Sequence, residues 1–198
     1  MKKDIILVGC GGHARSVIEV IESTKIWNII GLIGLENELN QKILGYRVIG
    51  TDKDLKKFRK ICSNCIIAIG QIKDSRKRFD VSEKLKNLSF ESPIICASSS
   101  IVSNSASIKS GTLIGHGVIV NANAKIGENC IINTNSVIEH DAEIGDFCHI
   151  STGVLINGEV KIGGHSFIGS GAIIRENIEL PTKTILGAGK TVLFWPLK

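Results

Sequence analysis

Aromatic residues are scarce in this chain, at 5% of 198 residues. That excludes a core built on rings and leaves aliphatic side chains to fill it. It also speaks against a nucleic-acid surface, which needs aromatic platforms within a basic patch. No run of 18 apolar residues occurs, so no membrane-spanning helix is expected. The start, MKKDIILVGCGGHAR, has only a short apolar run before glycines and a charge. It reads as a first strand and not as a signal peptide. Without a secretory signal, the six cysteines are expected as reduced thiols in the cytoplasm. Cys62 and Cys65 form a lone CxxC with no second pair at zinc spacing, so no metal is expected. The net charge of +5 is uneven: residues 1–100 hold 17 Lys and Arg against 11 Asp and Glu, and residues 101–198 hold 7 against 8. The KKFRK run at 56–60 reads as a solvated helix surface.

What the second half has instead is rhythm. From Val102 to Val192, every sixth residue is Val, Ile or Leu, sixteen times without a gap. A period of six fits neither a helix nor a simple strand, but it fits a solenoid of short strands and turns, the parallel β-helix. Three hexapeptides close one triangular coil of 18 residues, with each aliphatic residue stacked on its equivalent in the next coil. About five coils at roughly 4.8 Å spacing give a prism roughly 25 Å long. Glycine follows the aliphatic residue at Gly115, Gly127, Gly145, Gly163, Gly169 and Gly187, where a corner with positive φ is expected. Cys130 and Cys148, 18 apart, are expected to stack as small buried fillers.

The first half reads differently. DIILVG (4–9), the glycine-rich GCGGHAR (9–15) and the apolar beats of SVIEVIEST form a strand, a turn and a helix. Free amides at such a helix start suit a phosphate. The dinucleotide fingerprint is incomplete, since Gly9, Gly11 and Gly12 are present but position 14 is Ala. IIGLIG (29–34) and CIIAIG (65–70) read as further strands, 74–88 as a helix, and Phe90–Cys96 as a last strand. The solenoid is expected to begin near Ser100. The plan is an α/β Rossmann-like domain at 1–97 that holds one nucleotide sugar, followed by a β-helix at 98–198.

GCGGHAR, AIG at 68–70 followed by Arg76, and NTNSVIEHDAEIGDFCHISTGVLINGEVKIG from Asn133 carry a resemblance. They resemble the bacterial hexapeptide-repeat sugar acyltransferases, which include UDP-4-amino-sugar N-acetyltransferases and proteins described as sialic acid O-acetyltransferases. The resemblance implies a left-handed β-helix, a homotrimer with active sites between subunits, and acetyl-CoA as cosubstrate. It places the catalytic base on His140, the acid that orients it on Asp141, an active-site asparagine on Asn133, and a second histidine near the acetyl thioester on His149. Coenzyme A contacts fall on His149, Gly158, Ser170 and Ala188, largely along one wall. The nucleotide-sugar loop falls on Gly9, Gly11, Gly12 and His13, with Ala68, Ile69 and Gly70 as the pocket floor. Helix capping or packing is the other reading of His13. Two departures stand out. Gly34-Leu35 occupies the place of an Asp-Asp pair after the second strand, and FWPLK replaces a G-x-P-A-K ending.

The residue types suit acetyl transfer. A histidine titrates near neutral pH and can take the proton as an amine attacks. A neighbouring carboxylate fixes its tautomer and stabilises the imidazolium. The oxyanion of the tetrahedral intermediate needs a donor, for which His149 or a wall N–H is available. The expected activity is N-acetylation of a nucleotide-linked 4-amino sugar for surface glycan synthesis. The alternatives are O-acetylation of a sialic-acid-like sugar, a non-catalytic solenoid scaffold, or an NAD-dependent oxidoreductase. His116 and His165 read as corner residues without a role.

Overall fold

The computed structural model describes residues 2–196. The chain divides into two compact units. The first comprises the residues up to Gly70 together with Arg76–Pro93, and the second comprises Gln71–Ser75 with the residues from Ile94 onward. The second unit thus takes in nine residues, Gln71–Ser75 and 94–97, that the sequence reading places within 1–97.

In the first unit, β1 (Lys3–Val8), β2 (Trp27–Gly34), β4 (Tyr46–Thr51) and β5 (Asn64–Ile67) are parallel, and β3 (Lys42–Ile43) is antiparallel to β4. The order is β3-β4-β2-β1-β5. Interior β1 is covered on both faces, which is why it reads as the unbroken run IILV. Its Ile5, Ile6 and Leu7 are fully buried. Helix α1 (Gly12–Thr24) turns the expected Val17, Ile18, Val20 and Ile21 inward. It starts directly at Gly12, so the glycine-rich turn runs into its first turn of helix. A short α2 (Leu55–Phe58) and then α3 (Arg76–Asn87) complete the unit. Strand β5 stops at Ile67, leaving Ala68–Gly70 as the loop beyond the strand end.

The expected strand over Phe90–Cys96 is a correction. Only Ile95–Cys96 is a strand, and it pairs with Leu113–Ile114 as the first rung of the solenoid. Stepping back by six from Val102 lands on Cys96, which is small and apolar but not aliphatic, so the rhythm hides its own first beat.

The second unit is a left-handed parallel β-helix with three walls. Wall I runs from Ile95–Cys96 to Ile185–Leu186, wall II from Ile101–Val102 to Thr191–Val192, and wall III from Ser107–Ile108 to Glu179–Leu180. Every pairing along a wall joins residues 18 apart, for example Ile132↔Ile150 and Ile138↔Ile156. The second residue of each two-residue strand points inward, so that Ile114, Ile132, Ile150 and Ile168 stack at zero exposure. The outward residues differ by wall. Wall II presents Ile101, Ile119, Val137, Leu155 and Ile173 before ending in Thr191. Wall III presents Ser107 and then alternates Lys125, Glu143, Lys161 and Glu179, with Lys125 Nζ 2.9 Å from Glu143 Oε1.

The corner glycines need a second correction. Positive φ does not fall on the glycine after each aliphatic residue. It falls two places later, at Gly117, Asn123, Asn129, Asn135, Asp141 and on through Gly189. Glycines such as Gly145 and Gly169 serve close approach instead: a Cβ there would lie 2.5 Å from the backbone nitrogen of Gly164 or Ala188 in the next coil. Cys130 and Cys148 are fully buried, with their thiols donating to Gly145 O and Gly163 O one coil on. Cys65 lies buried in β5, as its apolar context implies. Trp195 packs against the solenoid core, while the last two residues of the FWPLK ending lie outside the described residues. Among the described residues no helix is long and apolar enough to cross a membrane.

Candidate active site

The corner between walls II and III carries the pair that the sequence singles out. Residues 139–142 link strand Val137–Ile138 to strand Glu143–Ile144. Asp141 takes the positive-φ place, at +60°, a conformation that Asp and Asn tolerate better than most residues. The corner is bolted to its neighbours by Asp141 N–H donating to Ala122 O at 2.9 Å and Glu159 N–H donating to His140 O at 3.0 Å. Both side chains reach solvent in the single chain, and His140 Nδ1 lies 2.9 Å from Asp141 Oδ2.

A carboxylate only accepts, so Nδ1 carries the proton and Nε2 is the basic nitrogen of the neutral ring. The hydrogen bond to Asp141 raises the His140 pKa above the ordinary imidazole value, and the charges of Asp141, Glu139 and Glu159 add to this. Asp141 is held below the usual carboxylate range, first by His140 and then by Asn123. Asn123 Nδ2 donates to Asp141 Oδ1 at 3.3 Å from one coil below. The imidazole lies against Gly158, where a Cβ would stand 2.7 Å from its Cε1 and Nε2.

Other expected residues lie elsewhere on the solenoid. Asn133 starts the corner between walls I and II, where its Oδ1 accepts from Thr134 N at 2.8 Å and its carbonyl accepts from Ser136 Oγ. Ser170 and Ala188 lie on that same corner two and three coils further on, and Ser170 Oγ lies 2.9 Å from Ser151 Oγ. Gly158 does not join them. Twelve places before Ser170, it is two hexapeptides away and stacks above His140, so the contacts expected along one wall divide between two corners. His149 is on wall I with 8% exposure, its Nδ1 2.5 Å from Gln71 O and its ring edge-on to Phe167 at 5.3 Å. Thus one chain brings together His140, Asp141 and Gly158, and sets Asn133, His149, Ser170 and Ala188 apart from them.

The α/β unit holds its own set. Gly9 has φ +116°, and a Cβ there would meet Ala68 O at 2.9 Å, so the first turn and the 68–70 loop touch. Ile69 lies against Gly9 in the same way, and His13 Cβ would be 3.4 Å from a Cβ on Gly70. At Gly11 and Gly12 nothing lies within 4 Å of an added Cβ, which leaves that backbone bare to an approaching ligand.

The sequence reading missed Cys10 and Glu38. The Cys10 thiol donates to Glu38 Oε2 at 3.0 Å, and the same oxygen accepts Leu35 N–H at 2.7 Å. Burial and the Glu38 carboxylate push the Cys10 thiol up to about 11. Glu38 itself is held low, first by its bond to Cys10. A Cβ at residue 34 would meet Cys10 Sγ at 2.5 Å and Glu38 Oε2 at 2.9 Å. Glycine stands at 34 because a carboxylate from further along the chain already fills the space.

Asn123 and Gln71 were also missed. Asn123 could have been found by counting back one coil from Asp141. No sequence period points to Gln71.

A β-helix of hexapeptides with a His–Asp pair on one corner is the framework of an acyltransferase. The chain matches the PglD N-terminal domain family over residues 4–85 and the bacterial transferase hexapeptide family over 105–140 and 123–158. It is similar to PerB from Caulobacter crescentus, solved in complex with CoA and GDP-perosamine, at 30% identity and a TM-score of 0.89. That match covers 96% of this chain and 88% of PerB. It is also similar to the acetyltransferase domain of PglB from Neisseria gonorrhoeae, solved with acetyl coenzyme A, at 26% identity and a TM-score of 0.87. Here 97% of this chain and 93% of the other are covered. WeeI from Acinetobacter baumannii shares the fold at 21% identity and a TM-score of 0.73, with 100% and 99% covered. Among curated proteins compared by sequence, none matches. The chain belongs to the hexapeptide-repeat family of bacterial sugar acyltransferases.

Proposed function

We propose that this chain transfers an acetyl group from acetyl-CoA to the amine of a nucleotide-linked 4-amino sugar, for surface glycan synthesis in the cytoplasm. The observation that carries the reading is the His140–Asp141 bond of 2.9 Å on the corner of the solenoid. A scaffold has no use for a base so oriented. As the neutral amine attacks the thioester carbonyl, His140 Nε2 takes its proton, and Asp141 stabilises the imidazolium that forms. The tetrahedral intermediate then expels coenzyme A thiolate, which accepts a proton. Direct attack suffices, and no enzyme nucleophile is needed. Asn123 is a positioning residue, because it holds the far oxygen of Asp141 while His140 holds the near one.

Asn133, Ser170 and Ala188 lie on one flank of wall II, and His140 and Gly158 lie on the other. Wall II between them is aliphatic at five successive outward positions. Packing such walls together in a homotrimer would bury them and bring one subunit's His140 corner toward a neighbour's Asn133 corner. The acetyl donor would lie along that seam. In the α/β unit, the bare amides of Gly11 and Gly12 at the start of α1 suit a diphosphate, and Glu38 supplies a carboxylate near the end of β2. The relatives' ligands favour a nucleotide-linked amino sugar.

The test is release of coenzyme A from acetyl-CoA with UDP-, GDP- and dTDP-linked 4-amino sugars and free sialic-acid-type sugars as acceptors. Turnover with one nucleotide-linked amine, abolished in His140→Ala, is expected. Turnover only with a free sugar would move the reading to O-acetylation, and silence with every acceptor would refute it.

A further inference from the structure

The sheet of the first unit has one place where its strand order reverses. From β1 the chain moves through β2 and β4 on one side, then crosses back to β5 on the other. Strands β1 and β5 are parallel with Val8 beside Ile67, so they end level. Open parallel sheets take ligands in the crevice beyond the strand ends at such a reversal. Two segments leave the strands there. One is the turn at 9–12 with its bare glycines Gly11 and Gly12. The other is the loop at 68–70, whose Ala68 N–H donates to Val8 O at 2.8 Å. Topology alone therefore makes 68–70 one lip of the crevice.

Gln71 follows this lip directly and opens the five-residue segment of the second unit that precedes α3. Its side chain is 3% exposed. Its Nε2 donates to Phe147 O at 2.9 Å and lies 3.4 Å from Ser166 O, so it touches corners of two successive coils. Its carbonyl lies 2.5 Å from His149 Nδ1. At the other end of the segment, Ser75 is 5% exposed and its Oγ is 2.7 Å from His165 Nδ1. The His165 ring in turn stacks on Phe147 at 5.3 Å with the planes 1° apart. Between the two ends, Ile72, Lys73 and Asp74 stand exposed. The segment is a strap, fastened to the solenoid at both ends and free of it in the middle.

We infer that Gln71 is a positioning residue for the acceptor: it anchors the chain where the crevice lip ends, so the lip is in place before the nucleotide-linked sugar arrives. The inference rests on the nucleotide-sugar reading above. Consecutive Cα atoms stand about 3.8 Å apart, so an anchored Gln71 leaves Gly70 little room to move. Released, the glycine at 70 lets the lip swing, because glycine has more backbone freedom than any other residue. Apparent affinity then falls by the fraction of time that the lip is out of place. Once the acceptor is bound the geometry is the same as before, so the effect belongs to KM and not to kcat.

The experiment uses full-length protein and Gln71→Met, which keeps the side-chain length and removes the donor. Coenzyme A release is measured with acetyl-CoA and the nucleotide-linked 4-amino sugar that the acceptor panel selects, and amide hydrogen exchange is followed over 68–75 by mass spectrometry. In the variant, KM for the acceptor should rise about three- to tenfold, the weight of one neutral hydrogen bond. KM for acetyl-CoA and kcat should hold, and exchange over 68–75 should quicken while the solenoid rungs keep their protection. Unchanged exchange over 68–75 would overturn the inference. A lower kcat with both KM values constant would also overturn it, because that is the mark of general damage to the fold. A rise in KM for acetyl-CoA alone would assign the strap to the donor and overturn its role toward the acceptor. If wild type turns over no nucleotide-linked amine while exchange still quickens in the variant, the anchoring stands and its role toward an acceptor falls with the nucleotide-sugar reading. Should Gln71→Met not fold, Ser75→Ala, which removes the hydroxyl at the other end of the strap, carries the same test with the same outcomes.

Discussion

Gly158→Ala adds one methyl group at the floor of His140. The φ of Gly158 lies outside the left-handed region, so alanine is not strained in its backbone there. The strain is local to the imidazole. The new Cβ would sit 2.7 Å from Cε1 and Nε2, whereas ordinary contact begins at 3.4 Å, so the ring must retreat by about 0.7 Å. Because the ring is tethered at Nδ1 by a 2.9 Å bond to Asp141, a retreat of that size either breaks the tether or swings Nε2 off line. A misplacement near 1 Å costs about 10²-fold in rate. The corner is open to solvent, so the fold has room to absorb the methyl and the melting temperature should change little. Steady-state coenzyme A release should show kcat down about 10²-fold with KM for acetyl-CoA nearly constant. A normal kcat with a raised KM would refute this reasoning and leave Gly158 as a backbone contact to coenzyme A.

Three further outcomes are expected. The proton-accepting form of His140 is lost as pH falls, so the acid limb of kcat/KM should lie above the ordinary imidazole value of about 6.5. Asp141→Asn should move that limb to lower pH and cut kcat, because the main cause of the upward shift is removed; a limb that stays in place would show that Asp141 does not tune the base. Leu155→Lys, a charge on the outward face of wall II, should convert the proposed trimer to monomers in light scattering coupled to gel filtration, and an unchanged mass would place the interface elsewhere.

The solenoid was legible because its core repeats: an aliphatic residue at every sixth place is both the sequence signal and the packing itself. Its first rung was not, because Cys96 fills the wall without being aliphatic. The His140–Asp141 pair was legible as neighbours in sequence. The separation of Asn133 and His149 from it follows from spacing of seven and nine residues against a period of six, which moves each to another corner or wall. Gln71 and Glu38 lay beyond reach, since one is fixed by bonds across 76 residues or more and the other by a thiol 28 residues away. The role first read into the corner glycines was wrong for a physical reason. Asn, Asp and even His165 and Phe147 take the positive φ, while glycine is needed where two backbones nearly touch.

The 18-residue register has a consequence for how this half of the chain can change length. Inserting one whole coil away from the site would carry every later side chain up the prism and return it to its own wall. Removing a single hexapeptide would keep each aliphatic residue inward, so the core would still close. Everything downstream would nevertheless turn by about a third of a revolution, putting the charges of wall III where wall II now offers Leu155 and Ile173. A hexapeptide lost between Gly117 and Asn133 would rotate His140 and Asn133 together, away from the faces their upstream coils present. The core thus tolerates changes in sixes, while the surface that does the work reads only in eighteens.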